Sequence, residues 1–260
     1  MEKVIDLALT AVVCLISSMK LSNNKLSIKD KILLAVILGV DKETKVPVGG
    51  LSFPFAPEIS MDNLSDWVCV SKPVFYSTVS RMNRENYIFV DRSCVKITDK
   101  GKSYLGQNFP QLFLKNQKWD GYWRIIVFNI KESERYKRDK LRNYLIKIKF
   151  APLSDGVWVS PLPIFGVIND LAGDSIYIEG KLQRKEEEQI MLYHKIIEIN
   201  NEYGRLCIAL KKAKNLQDRD TIPILKSQFL EVLARDPQMP IKLLPKEWLG
   251  TKAKRLFTNV

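Results

Sequence analysis

The sequence predicts an α+β protein of several domains, and three observations lead to this class. The chain has 260 residues, which corresponds to about two typical domains. Hydrophobic residues make up 46% of it and charged residues 27%, as in globular proteins rather than disordered ones. Segments with the spacing of amphipathic helices alternate with short β-branched and aromatic runs, so helices and strands share the chain.

The charge of the chain favours polyanionic partners. Lys and Arg number 41 against 29 Asp and Glu, which gives a net charge of +12 and a pI of about 9.4. Such an excess attracts polyanions over a long range, so nucleic acid is the leading partner class. Solvated lysines alone also make many proteins basic, and this alternative stays open.

Residues that carry catalysis or bind metals are sparse. The four cysteines, Cys14, Cys69, Cys94 and Cys207, lie far apart and form no CxxC pair, so we expect reduced thiols and no metal site. The single histidine, His194, has no catalytic partner beside it, and we expect an ordinary histidine on a helix surface. The sequence therefore predicts no catalytic residues, no cofactor and no enzyme.

The first 38 residues have the texture of helices. The apolar run from Val4 to Met19 contains Asp6 and falls short of the roughly 20 residues that span a bilayer. We expect a buried helix there, no membrane partner, and a cytoplasmic protein. Helical spacing extends to about Leu38, and the stretch Val46–Pro57, with three prolines and two glycines, predicts a loop.

The next segment has the element order of a winged helix-turn-helix domain, to which we assign residues 1–110. Helical spacing from Ser60 to Val68 is followed by a second helix that begins at Ser71, has Pro73 in its first turn, and ends near Asn86. Two short strands, residues 87–90 and 94–98, then flank a polar turn. A module whose helices and hairpin only pack together, without binding DNA, would show the same order of elements, and this alternative stays open.

The second of these helices would be the recognition helix. Phe75, Val79 and Met82 share one predicted buried face, which leaves a polar and cationic face exposed. Cations there and on the hairpin would meet base edges and the DNA backbone. The predicted DNA-binding residues are Lys72, Tyr76, Ser77, Ser80, Arg81, Arg84, Arg92 and Lys96.

Residues 111–185 predict a ferredoxin-like α/β sandwich. Strands are indicated at Arg124–Ile130, 150–153, 156–160 and 175–180, and helices from Ser133 to Ile148 and from Ile164 to Leu171. The first of these helices is rich in Lys and Arg. We expect a solvated helix with local ion pairs, such as Glu134 with Arg138, and the alternative is an auxiliary face for phosphate.

Residues 186–260 predict a helical C-terminal domain. Helical spacing runs over Ile190–Tyr203, Leu206–Leu216 and Ile222–Ala234, and a tail punctuated by prolines follows.

Three stretches, in order, resemble the PaaX-type transcriptional repressor family of phenylacetate catabolism. VFYSTVSRMNRENYIFV followed by VKITDKG is similar to the recognition helix and wing of that family. WDGYWRIIVFNIKESERYKRDKLRNYLIKIKFAPLSDGVWVSP resembles its central domain, and ARDPQMPIKLLPKEWLGTKAKRLF resembles its C-terminal signature.

The resemblance implies a dimeric repressor that binds a double-stranded DNA operator and is released by an acyl-CoA effector, typically phenylacetyl-CoA. An acyl-CoA has an anionic nucleotide end and an apolar acyl end, so its site needs cations beside aromatic side chains. The predicted effector-binding residues are Trp119, Trp123, Arg124, Arg138 and Trp158.

Two other hypotheses compete with a regulator. The family's central domain is related to the nucleases of CRISPR adaptation, which carry a metal-binding aspartate after the first strand. This chain has Asn129 there, and a neutral amide holds Mg²⁺ poorly, so we expect no metal-dependent nuclease. An architectural protein that binds DNA by charge alone is the third hypothesis, and it predicts binding without sequence preference.

Overall fold

A computed structural model describes residues 26–38, 45–48, 51–54, 58–113, 119–163 and 175–259. Within them the α-helices are α1 (Ile28–Leu38), α2 (Met61–Val68), α3 (Lys72–Arg84), α4 (Asp99–Asn108), α5 (Arg135–Lys147), α6 (Arg184–Tyr193), α7 (Ile196–Asn215), α8 (Thr221–Arg235) and α9 (Gly250–Thr258). The strands are β1 (Lys45–Val48), β2 (Leu51–Pro54), β3 (Glu58–Ser60), β4 (Ile88–Asp91), β5 (Cys94–Ile97), β6 (Trp123–Val127), β7 (Ala151–Ser154), β8 (Val157–Ser160) and β9 (Ile176–Gly180). Short 3-10 turns span Pro110–Leu112, Glu132–Glu134 and Ile241–Leu243.

Mixed helix and sheet confirm the predicted α+β class. The chain packs into two compact units. The first unit consists of three segments: the described residues as far as Leu105, Glu198–Arg235, and the described residues from Glu247 onwards. The second unit consists of Gly106–Ile197 and Asp236–Lys246. The predicted division into three domains at 110 and 185 stays a prediction, because compactness does not show which segments fold alone.

The sheet of the first unit has three strands in the order β3–β5–β4, and both pairs are antiparallel. From α1 to β5 the element order is helix, strand, helix, helix, strand, strand, apart from the ribbon β1–β2. Ile59, Ile88 and Val95 lie on the buried face of the sheet and are at most 3% exposed. The helices α1, α2 and α3 pack against one another in the same unit.

The two helices before the hairpin begin where the sequence predicts. The Ser60 side chain accepts a hydrogen bond of 3.3 Å from the amide of Asn63 and so caps α2. Ser71 stands at the N-cap of α3 without a side-chain bond, and Pro73 lies in the first turn. The helix ends at Arg84, because Asn86 takes a left-handed φ of 62° before β4.

The predicted loop at Val46–Pro57 is wrong for much of its length. Residues 45–48 and 51–54 form the antiparallel ribbon β1–β2, in which Pro47 pairs with Ser52. Prolines exclude a helix there, as expected, but each strand of a two-stranded ribbon has a free edge, where a missing N–H is tolerated. Residues 55–57 lie outside the described residues.

The sheet of the second unit has four strands in the order β7–β8–β6–β9, and every pair is antiparallel. The predicted edge strand near residues 150–153 is confirmed as β7. One face of this sheet packs on α5 through a cluster of Ile126, Phe128, Trp158, Leu141 and Leu145.

Two details around α5 differ from, or lie beyond, the prediction. Ser133 does not cap the helix, since it lies within the 3-10 turn Glu132–Glu134 and the N-cap of α5 is Glu134. The predicted helix from Ile164 to Leu171 lies outside the described residues.

The C-terminal helices break at a different point from the predicted one. The sequence predicts an interruption between Tyr203 and Leu206, yet α7 runs without a break from Ile196 to Asn215. The break falls earlier, where Lys195 has a left-handed φ of 53°. Gly204 serves close packing instead, because a Cβ there would lie 3.0 Å from Leu249 Cδ1.

In the part of the chain that the structure describes, every helix is too short or too polar to cross a bilayer. The apolar run Val4–Met19 lies outside that part.

Candidate nucleic-acid interface

The exposed face of α3 is opposite its buried face, as predicted. Phe75, Val79 and Met82 are at most 4% exposed. A helix turns about 100° per residue, which places four exposed residues on the far side, Pro73, Ser77, Ser80 and Arg84. The other predicted DNA-binding residues of this helix are exposed as well: Lys72, Tyr76 and Arg81.

The charge of α3 is entirely positive. The helix holds Lys72, Arg81 and Arg84 and no Asp or Glu. None of these three cations makes an ion pair with a described residue. The exposed face therefore presents cations that are open to an external anion.

A hydrogen bond sets the hairpin β4–β5 against α3. The Val90 amide donates to Asn83 Oδ1 at 3.2 Å, so β4 lies on the Asn83 side of the helix. Tyr76 stands two turns before Asn83 on that same side and is 50% exposed. Val74 and Arg81 lie on the other flank, and Val74 is 42% exposed.

The two predicted cations of the hairpin have different environments. Arg92 is exposed at the turn, where its φ of 52° suits a tight two-residue hairpin, and it pairs with no described acid. Lys96 lies opposite Glu58 on β3, with Nζ 3.1 Å from Oε2. The hydrogen bond to Glu58 raises the pKa of Lys96. Lys96 is thus occupied within the protein, whereas Arg92 is not.

Sequence reasoning missed three side chains of this surface. Val74, Asn83 and Phe89 are all exposed, and Phe89, at 56%, stands opposite Lys96 on the outer face of the hairpin. The helical period places Val74 outside the buried stripe, so that residue could have been found. Nothing in the sequence marks Asn83 as the residue that binds the hairpin.

The cations of α5 in the second unit contrast with those of α3, since most have an acidic partner. Arg138 Nη1 lies 2.7 Å from Glu132 Oε2, and Arg142 Nη2 lies 3.2 Å from Asp155 Oδ1. The predicted pair of Glu134 with Arg138 is wrong, because the 3-10 turn places Glu132 within reach of Arg138. Further pairs join Glu134 to Lys137 and Arg135 to Asp139. This favours the solvated helix with local ion pairs.

The predicted effector-binding residues of β6 and β8 lie on both faces of the sheet. Consecutive residues of a strand point to opposite faces, so Trp123 and Arg124 are separated by the sheet. Arg124 pairs with Ser160 and Ile126 with Trp158, which places Trp158 on the α5 face together with Arg124. Trp123 (0% exposed) and Trp158 (5%) are core residues of opposite faces.

Of the predicted effector-binding set, the structure brings Trp119 and Trp123 together. Their rings meet edge to face with centroids 6.0 Å apart. The Trp123 indole donates to Glu187 Oε1 at 3.2 Å, and the Trp119 indole donates to the Tyr122 carbonyl at 3.0 Å. Arg138, on α5, is bound to Glu132 instead.

Arg124 is held by internal acids. It is 6% exposed and donates to both carboxylate oxygens of Asp120, at 2.8 and 2.6 Å, and Glu179 Oε1 lies 3.4 Å from its Nε. The hydrogen bond from Arg124 lowers the pKa of Asp120 to about 2. An anionic ligand would have to compete with these carboxylates.

Asn129, at the position where the related nucleases carry a metal-binding aspartate, stands exposed just after β6. Among the described residues, no three His, Cys, Asp or Glu side chains gather as a metal site. The described cysteines Cys69, Cys94 and Cys207 are free, and Cys14 lies outside the described residues.

His194 differs from the predicted surface histidine. It stands at the C-cap of α6, and its Nε2 is buried without a hydrogen-bond partner among the described residues. Burial, with the charge of Lys149, lowers the pKa of His194 to about 3, so the ring is neutral at pH 7.

The fold and the surface together define a mixed helix-and-sheet protein that carries an open, acid-free basic helix beside a hairpin. Two family models match the chain, the PaaX protein central Cas2-like domain at residues 116–179 and the PaaX-like protein C-terminal domain at residues 194–260. They cover half of the chain between them. The chain therefore belongs to the PaaX-type family of transcriptional regulators.

A solved structure shares the fold. The uncharacterized protein Rv0674 from Mycobacterium tuberculosis is 16% identical, with a TM-score of 0.57 over 90% of this chain and 94% of that one. No curated protein matches the sequence.

Proposed function

We propose that this PaaX-type protein is a cytoplasmic, sequence-specific DNA-binding repressor whose first unit contains a winged helix-turn-helix. The observation that carries the proposal is the exposed, acid-free face of α3, whose Arg81 and Arg84 make no ion pair with a described residue, next to Arg92 on the hairpin. In this class the second helix of the turn enters the major groove and the hairpin flanks it. The strand order β3–β5–β4 fits such a domain.

The order of the side chains along α3 suggests which of them contact bases and which contact the DNA backbone. Recognition helices contact base edges mainly with their N-terminal residues. The half-exposed Tyr76 and the hydroxyl oxygen of Ser77, whose proton goes to the Val74 carbonyl, would contact bases there, and the Val74 side chain would meet a thymine methyl. Ser80 lies nearer the C-terminal end of α3, beside Arg81. Arg81, in the last turn, would contact the backbone or a guanine.

The test is a comparison of Arg81→Ala and Arg84→Ala with Lys140→Ala. Lys140 is an exposed cation of α5 without an ion pair among the described residues, so its removal subtracts the same charge from the second unit. DNA selected from a random pool by the wild-type protein serves as the probe. We expect each arginine variant to weaken binding by about 1–3 kcal/mol for a base contact and by less for a phosphate contact.

Specificity distinguishes a repressor from an architectural protein. A lost base contact relaxes the preference at one position of the selected site, whereas a lost phosphate contact weakens binding to all sequences and reduces the salt dependence. If selection yields no consensus, or if the arginine variants bind like Lys140→Ala, α3 is not the reading helix and the proposal fails.

We further propose that the repressor is a homodimer, which joins through the ferredoxin-like sheet of the second unit. The strand order β7–β8–β6–β9 fits that fold, and β9 is an edge strand with exposed Ile176 (61%) and Ile178 (44%). Edge strands of this kind invite pairing with another chain. The double variant Ile176→Lys/Ile178→Lys should sediment as a monomer at about 10 µM, where wild type should be a dimer. A monomeric wild type would refute this.

An aryl acyl-CoA is the proposed effector, and family membership is its main support. Of the predicted residues, Trp119 and Trp123 form the aromatic pair that could report binding. Phenylacetyl-CoA should change tryptophan fluorescence and release the selected DNA, whereas free CoA should do neither. Absence of both effects at about 1 mM acyl-CoA would remove this effector.

A further inference from the structure

A second basic surface lies in the first unit, on the C-terminal half of α7 and on α9. Residues 203–217 contain four cations and no acidic residue, and α9 contains three cations and no acidic residue. The cations that are exposed and make no ion pair with a described residue are Lys211, Lys214, Lys252 and Arg255. These four residues are called the α7–α9 surface.

Contacts near the start of α9 bring the two helices together. The Leu249 amide donates to Asn200 Oδ1 on α7 at 2.7 Å, and Leu249 Cδ1 packs over Gly204. Burial raises the pKa of the Cys207 thiol on α7, and the charges of Lys252 and Lys211 both oppose this rise, so a lysine from each helix lies near that thiol. Cations from separate parts of the sequence thus share one surface.

Contacts between buried aromatic rings connect this surface to α2, which packs against α3. The Trp67 ring of α2 lies 6.1 Å from that of Phe229 on α8, and the Phe229 ring stacks on Phe257 of α9 at 4.7 Å with an interplanar angle of 12°. Tyr203 of α7 joins the same phenylalanine at 6.0 Å. Because Trp67, Phe229, Tyr203 and Phe257 are nearly or fully buried, α9 is anchored in the core of the first unit.

The helix macrodipole accounts for part of this charge but not for all of it. Lys211 and Lys214 stand in the last turns of α7, where cations are stabilising. Lys252 stands in the first turn of α9, where the dipole disfavours a cation and where no acidic residue offsets it. A role outside the helix is a better reason for Lys252.

We propose that the α7–α9 surface binds the phosphate backbone of duplex DNA beside the segment that α3 contacts. This inference rests on the proposed function. The ring contacts of Phe229 link α2 through α8 to α9, and packed helices lie about 8–10 Å apart, so α9 would lie up to about two such spacings from α2. That distance corresponds to about five or six base pairs at a rise of about 3.4 Å per base pair. The first unit would then cover more DNA than its recognition helix and hairpin touch.

The test removes three cations of the surface with Lys211→Gln/Lys252→Gln/Arg255→Gln and measures binding to random-sequence duplexes of about 8 and about 40 base pairs, the shorter one closed by a hairpin loop. The shorter duplex is too short to reach from α3 to the α7–α9 surface. Phosphate contacts are independent of sequence, so these probes need no known operator. Anisotropy titrations over a salt series give the slope of log K against log salt. With the long duplex we expect the slope of the triple variant to be shallower by up to about 2.7, because each lost contact contributes about 0.9. With the short duplex, we expect wild-type binding.

The matched control is Lys131→Gln/Lys140→Gln/Lys147→Gln, which removes three exposed cations from the second unit. It should bind both duplexes with the wild-type slope. Three results would overturn the inference: a wild-type slope for the triple variant on the long duplex, an equal loss in the control, or stronger competition by single-stranded RNA than by duplex DNA. Failure of the proposed function would look different, since Arg81→Ala and Arg84→Ala would then bind both duplexes as the wild-type protein does.

Discussion

Removal of one charge from the buried ion pair between α1 and α8 should destabilise the first unit severely. Lys31 Nζ lies 2.8 Å from Glu231 Oε1 and donates to Ser227 Oγ at 2.7 Å, and all three residues are at most 8% exposed. Lys31→Met leaves a carboxylate buried without its cation, and Glu231→Met leaves an ammonium group buried without its anion. Neither charge can return to water while the helices stay packed.

The magnitude follows from this burial. Removing one partner of a buried ion pair costs about 3–5 kcal/mol, whereas replacing both partners with apolar residues is often neutral or stabilising by about 1–4 kcal/mol. We therefore expect both single variants to lower the free energy of unfolding by about 3–5 kcal/mol. The double variant Lys31→Met/Glu231→Met should be more stable than either of them.

Urea unfolding followed by far-UV circular dichroism, with all four proteins of the cycle, measures these differences. The control is the exposed pair Arg184–Glu188 on α6, at 2.9 Å, for which removal of either charge should change stability by less than about 1 kcal/mol. If the two single losses simply add in the double variant, or if Lys31→Met behaves like the exposed control, the burial argument is refuted.

Three further predictions concern single residues. Gly101→Ala would place a methyl group 2.2 Å from the Tyr87 carbonyl oxygen and should lower the thermal midpoint, whereas Gly106→Ala in the same helix meets no atom within 4 Å and should raise it, by about 0.5–1 kcal/mol of stability. The pKa of His194 in the folded protein, about 3, lies below its ordinary 6.5, so below pH 6.5 the unfolded chain binds a proton that the folded chain does not. The free energy of unfolding should therefore be highest above pH 6.5 and fall towards pH 3. His194→Gln should weaken this pH dependence of the urea midpoint. Asp120→Asn should cost about 1 kcal/mol at pH 7, because that carboxylate is half exposed; since its pKa is lowered to about 2, this difference should shrink as the pH of the urea titration falls from 4 to 2.

The surface of α3 was predictable because it depends on a local period. Phe75, Val79 and Met82 recur at helical spacing, and burial of that stripe determines which side chains are exposed. The hairpin after α3 was predictable for a similar reason, since two β-branched runs flank a short polar turn. The pairing of Lys96 with Glu58 could not be predicted, because it requires β3. That strand directly follows a stretch whose prolines predict a loop.

The grouping of Trp123, Arg124 and Trp158 in one effector site overlooked the period of a strand. Residues 123 and 124 are consecutive in β6 and must point to opposite faces, which the sequence alone already implies. That Trp158 shares a face with Arg124 depends on the register of β6 with β8, which no local pattern reveals. Likewise, Gly204 reads locally as a helix breaker, and only Leu249, 45 residues later, shows why a glycine stands there.

The split composition of the first unit has a consequence for synthesis of the protein on the ribosome. Its N-terminal part ends at Leu105, but α8, whose Phe229 covers Trp67 of α2, and α9 follow more than a hundred residues later. At about 5–20 residues per second, the nascent chain would wait several seconds or longer before these helices could dock. Meanwhile, residues 106–197 of the second unit can collapse on their own sheet, so the two units would mature in the reverse of their order along the chain. A ribosome that stops before residue 221 would release a chain with the apolar side of α2 uncovered, and such a product should be removed by proteases or aggregate rather than occupy DNA as a shortened competitor.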